Sequence, residues 1–274
     1  MNHQLQYRRP ARSNTFKFKG FLLTTLLICA YCWGLSTTSA QVTNATPLTV
    51  ICPTNMSLGF LTETGTVATF TATVTGGCSN ADAVFTPPSE TLFPIGVTAV
   101  SLVVTDACCS VQCFVDVTVL GPRDIKSRMV AELLALQFAA DTRKDRKVLT
   151  VVIRHLTASL DADFWIDQTH VTTNHGSTVL SQERGAVTLL AALQINRKSR
   201  LSKAALQQFI DQLVASDRLL AAVRIQDAAI TSPSAAKLTQ ARDELTKGDT
   251  EVTNHHPGRA ISHYQTAWSR VSHL

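Results

Sequence analysis

The chain has 274 residues, a formal charge of +5, 45% apolar residues and 16% charged ones. That is long enough for two hydrophobic cores and too apolar for a disordered chain. The positive charge is a property of the start: residues 1–40 carry five Lys/Arg and no Asp/Glu, while the remainder balances twenty of each. Without the leader the chain is neutral, which removes the main support for nucleic-acid binding.

The leader has a basic stretch (Arg8, Arg9, Arg12, Lys17, Lys19), an apolar run Phe21–Trp33, and a small polar segment Ser36–Ala40 before Gln41. This order predicts a secretory signal peptide over residues 1–40, cleaved before Gln41. The apolar run has thirteen residues, short of the about 20 a membrane span needs; an uncleaved N-terminal anchor is the alternative. The expected location is secreted, periplasmic or cell envelope, with no membrane span after cleavage.

Residues 41–121 contain no Lys or Arg and five acids, Glu63, Asp82, Glu90, Asp106 and Asp116. The pattern is β throughout. Leu48–Cys52 reads as a strand ended by Pro53, and Met56–Leu61 resumes after the break. Thr62–Thr66 reads as a turn. Val67–Val74 alternates cleanly, with Ala68, Phe70, Ala72 and Val74 on one face. Ala83–Thr86 is a brief strand before Pro87-Pro88. The two clearest strands, Thr98–Thr105 and Phe114–Val119, form a predicted hairpin in an antiparallel sheet, with Val100/Leu102/Val104 and Val115/Val117/Val119 inward. About seven short, β-branched strands with Gly/Pro punctuation suggest an Ig-like sandwich.

The order Cys52-Pro53, Gly77-Cys78, Phe93-Pro94-Ile95-Gly96, Thr105-Asp106-Ala107-Cys108 and Cys113-Phe114-Val115 resembles the hyalin repeat (HYR) module over Thr46–Leu120. The resemblance implies an Ig-like extracellular module for adhesion and protein–protein contact, without catalysis. The sequence departs from the family at Cys109, where glycine is usual, and at Gly77, where an acid is usual. It also has one copy rather than an array.

Five of the seven cysteines follow the leader, and all five lie in the β-region. In an exported chain they are expected to form disulfides. Strand directions bring Cys78 near Cys108 and Cys52 near Cys113 at one pole, so these two pairings are expected. Cys109 falls outside both. It reads either as an intermolecular disulfide or redox-reactive thiol, giving a possible dimer, or as a vicinal cysteine that exchanges with Cys108 or is buried.

After Gly121-Pro122 the composition turns to Ala, Leu, Gln, Lys and Arg, and residues 122–274 are expected to be an all-α bundle. Ile125, Met129, Leu133 and Leu136 mark one amphipathic helix. Others are expected near Lys144–Leu160, Thr178–Leu193, Lys203–Val214, Asp217–Ile230, Ala235–Lys247 (closed by Gly248) and Gly258–Ser272. The last carries the apolar stripe Ala260, Ile261, Tyr264, Ala267, Trp268 and Val271. With Ala241, Leu245 and Gly248, this final pair resembles a single tetratricopeptide-type unit, with no second copy. Asp217–Trp268 is similar to helical C-terminal segments of exported bacterial proteins, which implies no activity.

Asp161, Asp163 and Asp167 lack the partners of an EF-hand loop, so capping is the expected role. His255-His256 has no third ligand at metal-site spacing and sits at a turn. Trp165 and Trp268 read as core residues. Catalytic, metal and cofactor motifs are missing from the pattern. The preferred expectation is an exported, non-catalytic protein whose β-module contacts an extracellular protein or cell-surface ligand. The alternative is a secreted enzyme or accessory subunit with its site near Asp163–His175, an expectation that burial of His170 or His175 beside Asp167 would favour. Asn44 and Asn55 begin glycosylation sequons, meaningful only in a pathway that modifies them.

Overall fold

In a computed structural model of the protein, residues 46–231 and 234–272 are described. The leader, its expected cleavage site and Asn44 lie outside them. A β-region over residues 46–120 is followed by six helices. Among the described residues, no helix is long and apolar enough to cross a membrane.

The β-region is organised by one hairpin. β7 (Gly96–Thr105) pairs antiparallel with β8 (Ser110–Leu120) along their full length, from Gly96↔Val119 to Thr105↔Ser110. β5 (Asp82–Thr86) adds antiparallel to the far edge of β7, and β2 (Met56–Gly59) adds parallel to β8, making a four-stranded sheet. Two small sheets complete the region, β1 (Thr46–Ile51) with β4 (Thr73–Gly77) and β3 (Thr66–Ala68) with β6 (Thr91–Phe93). The sheets are small and curl into a half-barrel.

Period-two alternation sets the faces, because successive side chains in a strand point to opposite sides. Val100, Leu102 and Val104 of β7 and Val115, Val117 and Val119 of β8 are all buried, as their spacing predicts. They pack in two clusters, one completed by Ala68, Phe70 and Phe93, the other by Leu48, Val50 and Val111. Phe70 holds the first together, with its ring edge-on to Phe85 at 4.9 Å and to Phe93 at 5.8 Å.

The expected single strand Val67–Val74 is corrected to two. The alternation persists through it, with Ala68 and Phe70 buried, but the backbone changes partners midway. β3 bonds to β6, the Phe70 amide donates to Ser89 Oγ at 2.9 Å, and β4 then bonds to β1. Side-chain periodicity reports which face is buried; it does not report which strand supplies the hydrogen bonds.

β8 passes through Gly121 alone into α1 (Pro122–Ala139). Then follow α2 (Arg143–Ser159), α3 (Gly176–Ile195), α4 (Lys203–Thr231), α5 (Ala235–Thr253) and α6 (Pro257–Val271). Thr142 caps α2 by accepting from the Asp145 amide at 3.0 Å, the usual remedy for unpaired amides at a helix start. α6 packs against α3, α4 and α5, and its whole predicted stripe from Ala260 to Val271 is buried. Each large aliphatic or aromatic side chain so buried contributes about 1.5–3 kcal/mol relative to exposure.

Two expected helix ends are corrected. The helices expected over Lys203–Val214 and Asp217–Ile230 are one 29-residue helix, α4. Ser216-Asp217 imitates an N-cap, but both residues are buried in mid-helix. Gly248 does not close α5, which continues to Thr253. It is buried because the Tyr264 ring of α6 lies where its side chain would be.

Candidate functional site

At one pole of the β-region, Cys52 and Cys113 stand at disulfide distance with Cα atoms 6.5 Å apart, and Cys78 and Cys108 do so at 6.1 Å. Both separations fall in the ordinary disulfide range, and two such pairs accord with an oxidising, extracellular or envelope location. Asp106 builds the turn between β7 and β8. Its Oδ1 accepts the amides of Cys108 and Cys109, both at 2.8 Å, and its Oδ2 accepts that of Cys78 at 3.0 Å. These amides, in that order, hold the Asp106 carboxyl below its usual range, and the Cys109 side chain adds a further hydrogen bond. Cys109 is half-buried against the second β cluster.

The outer face of the four-stranded sheet is the opposite of its core. Directly paired residues share a face, so the registers Val84↔Val103, Ser101↔Phe114 and Val97↔Thr118 place Val84, Val97 and Phe114 together on the outside. They are 58%, 68% and 68% exposed. Between them lie Thr86, Ser101 and Thr118, and Asp82 and Asp116 share the face through Thr105 and Ala99. No cation interrupts it, since residues 41–121 contain none.

In the helical region, the segment between α2 and α3 is ordered by local hydrogen bonds. Trp165 and Val171 form an isolated bridge, and the Trp165 indole N–H donates to the Ser159 carbonyl at 2.8 Å. Asp161 accepts the Asp163 amide at 3.1 Å, while Asp167 Oδ1 accepts those of Thr169 at 2.7 Å and His170 at 2.8 Å. The Asp161 and Asp167 carboxylates therefore serve turns, and with Asp163 they form no common cation site among the described residues. His170 lies between Asp167 (Nδ1–Oδ2 2.7 Å) and Asp227 of α4 (Nε2–Oδ2 3.5 Å). Yet His170 and Asp167 side chains are 36% and 52% exposed, and the adjoining cavity is only about 60 Å³. His175 stacks on Phe164 at 4.5 Å and bonds Thr172. Both histidines are half-buried, whereas the enzyme alternative asked for burial beside Asp167.

A larger cleft of about 1180 Å³ opens between α3, α4, α5 and α6. Its walls include Ala191, Ile195, Ile210, Val214 and Val252. At one end, Arg218 binds Asp249 through Nε–Oδ1 at 2.7 Å and Nη2–Oδ2 at 3.0 Å, and the Tyr264 hydroxyl donates to Asp249 at 2.9 Å. Burial, then the Asp249 charge, pushes the Tyr264 hydroxyl pKa upward. Arg218 Nη1 also reaches Glu63 of the β-region at 3.3 Å, and Gln226 donates to the same carboxylate at 2.8 Å. The expected turn TETGT thus places its one acid on the bundle. His255 lies at the cleft's rim, and His256 pairs with Glu251 at 2.8 Å.

Among the described residues, the one group of three potential metal ligands within reach of each other is Cys78, Asp106 and Cys108. Its two sulfurs are the pair already at disulfide distance, so it offers no thiolates to a metal. Sequence reasoning missed Lys126, Glu183 and Asp217, which meet in the bundle core at 2.8 and 3.0 Å. They sit on three helices with no spacing to link them, although Lys126 falling on the apolar side of α1, one residue from Ile125, was a usable signal.

No family model, curated protein or solved structure matches the chain.

Proposed function

We propose that the protein is an exported, non-catalytic contact protein. Its β-region is read as an HYR-type, Ig-like module that binds an extracellular protein or cell-surface ligand, and the helical bundle is its scaffold. The observation that carries this reading is the outer sheet face. It sets solvent-exposed Val84, Val97 and Phe114 among hydroxyl side chains, beside Asp82 and Asp116 and with no cation in the region. Scattered exposed apolar residues are ordinary, but here they share the outer side of the sheet built on the longest hairpin. An aromatic residue on such a face is the usual high-energy contact of a protein interface. The acids favour a partner surface with basic residues.

The test uses the full mature chain and retention on the native cell exterior. Phe114→Asp and Val97→Asp leave the inward faces untouched and are expected to weaken retention about tenfold or more. Retention equal to wild type for both variants, with the disulfides intact, would move the contact off this face.

A further inference from the structure

The helical core carries a charge imbalance. Lys126 Nζ of α1 donates to Glu183 Oε2 of α3 at 2.8 Å and to Asp217 Oδ1 of α4 at 3.0 Å, and all three side chains are 0% exposed. The remaining carboxylate oxygens, Glu183 Oε1 and Asp217 Oδ2, are buried with no donor, as is the neighbouring Ser216 hydroxyl. With both acids ionised, the site would hold two anions for one cation, out of reach of water. Isolated buried charge is among the most unfavourable arrangements a core can contain, and such groups neutralise instead.

Among the described residues, no second cation is paired with either carboxylate. The Trp165 ring faces the Lys126 ammonium at 5.3 Å, but its indole N–H is given to the Ser159 carbonyl. Arg123 lies 6.0 Å from the Trp165 ring centre. Arg218, next to Asp217 along α4, is engaged by Asp249 of α5 and by Glu63. Tyr264 of α6 donates to Asp249, and His155 of α2 is bonded to Gln182 of α3.

We propose that Glu183 and Asp217 share one proton at neutral pH, forming a neutral lysine–carboxylate–carboxylic acid lock that fastens α1 to α3 and α4. A proton on the acid pair removes the excess negative charge and turns one unpaired oxygen into a donor. Asp217 is the better carrier, because burial and then the Glu183 charge push its carboxyl well above its ordinary range, and it lies within hydrogen-bonding reach of Glu183. Burial alone would lower Lys126, but its two carboxyl partners, Asp217 and Glu183, outweigh it and keep the ammonium protonated. A raised folded-state pKa stabilises the fold fully below the ordinary carboxyl value of 3.8. That contribution is lost as pH rises through the folded value. Because α1 follows β8 after one residue, losing the proton loosens the helix that carries the β-region.

Infrared spectroscopy of the full chain in heavy water tests this directly. A carbonyl stretch from a protonated carboxyl group is expected at neutral pH, where exposed Asp and Glu are ionised, and Glu183→Gln and Asp217→Asn should each abolish it. Thermal midpoints of wild type should fall between about pH 5 and pH 9 while those of Glu183→Gln stay flatter over the same interval. A wild-type spectrum without that band would overturn the proposal, and no variant needs to fold for that result. Persistence of the band in both variants would overturn it too.

Discussion

Asp106 shows how much one side chain can organise. Its carboxylate gathers three amides on both sides of the Cys78–Cys108 pair, acting as the nucleus of the pole rather than as a surface charge. The same carboxylate explains Gly77. That residue has φ +91°, and a side chain there would run into Asp106 Oδ2. A side chain before Cys78 would therefore displace the carboxylate that holds the turn. Because its pKa is lowered, Asp106 stabilises the fold above the unfolded carboxyl value, and the contribution is lost as pH falls through the folded value. Asp106→Asn is expected to flatten the acid limb of the unfolding profile and speed reduction of Cys78–Cys108, read by thiol labelling; an unchanged labelling rate would count against this role. The cysteine pairs were readable from strand direction alone. The Asp106 carboxylate was not, because a lone acid in a turn looks like any solvated loop residue.

At the scale of elements, alternation made the buried faces of β7 and β8 legible, although the strands start at Gly96 and Ser110 rather than at Thr98 and Phe114, and the 3.6-residue stripe did the same for the buried face of α6. Reading failed where an element's partner, not its own pattern, decides its limits. Val67–Val74 divides because two sheets claim its ends. α4 runs through Ser216-Asp217 because Lys126 meets Asp217 there, and a partner 91 residues away leaves no local trace. Gly248 looked like a helix stop and is a seat for the Tyr264 ring. Gly248→Ala should therefore destabilise the bundle by about 1–3 kcal/mol through overpacking, although alanine is the better helix former by about 1 kcal/mol. Urea unfolding measures the sign; a stabilised variant would mean that Tyr264 yields easily.

In the whole molecule, the order of a β-region then a bundle follows from composition, while the contact between them does not. Glu63 is the acid of an exposed-looking turn, yet it meets Arg218 and Gln226 of α4. Arg218 is partly exposed, so the link is a modest one, worth about 0–1 kcal/mol. Glu63→Gln should leave global stability nearly unchanged but hasten proteolysis at the turn 62–65; identical cleavage rates would show that this contact does not restrain it. The cleft between α3 and α6 was equally hidden, since it belongs to the assembly of four helices and to no single stretch. The contact proposed with the outside runs through the sheet's outer face. Its most direct measurement is photo-crosslinking of the full mature chain on the native exterior, with the reactive side chain at position 114 or 97 and, for comparison, at exposed Phe138 of α1. The same adduct is expected from 114 and 97, and none from 138. An adduct from 138 alone would place the contact on the bundle and contradict it.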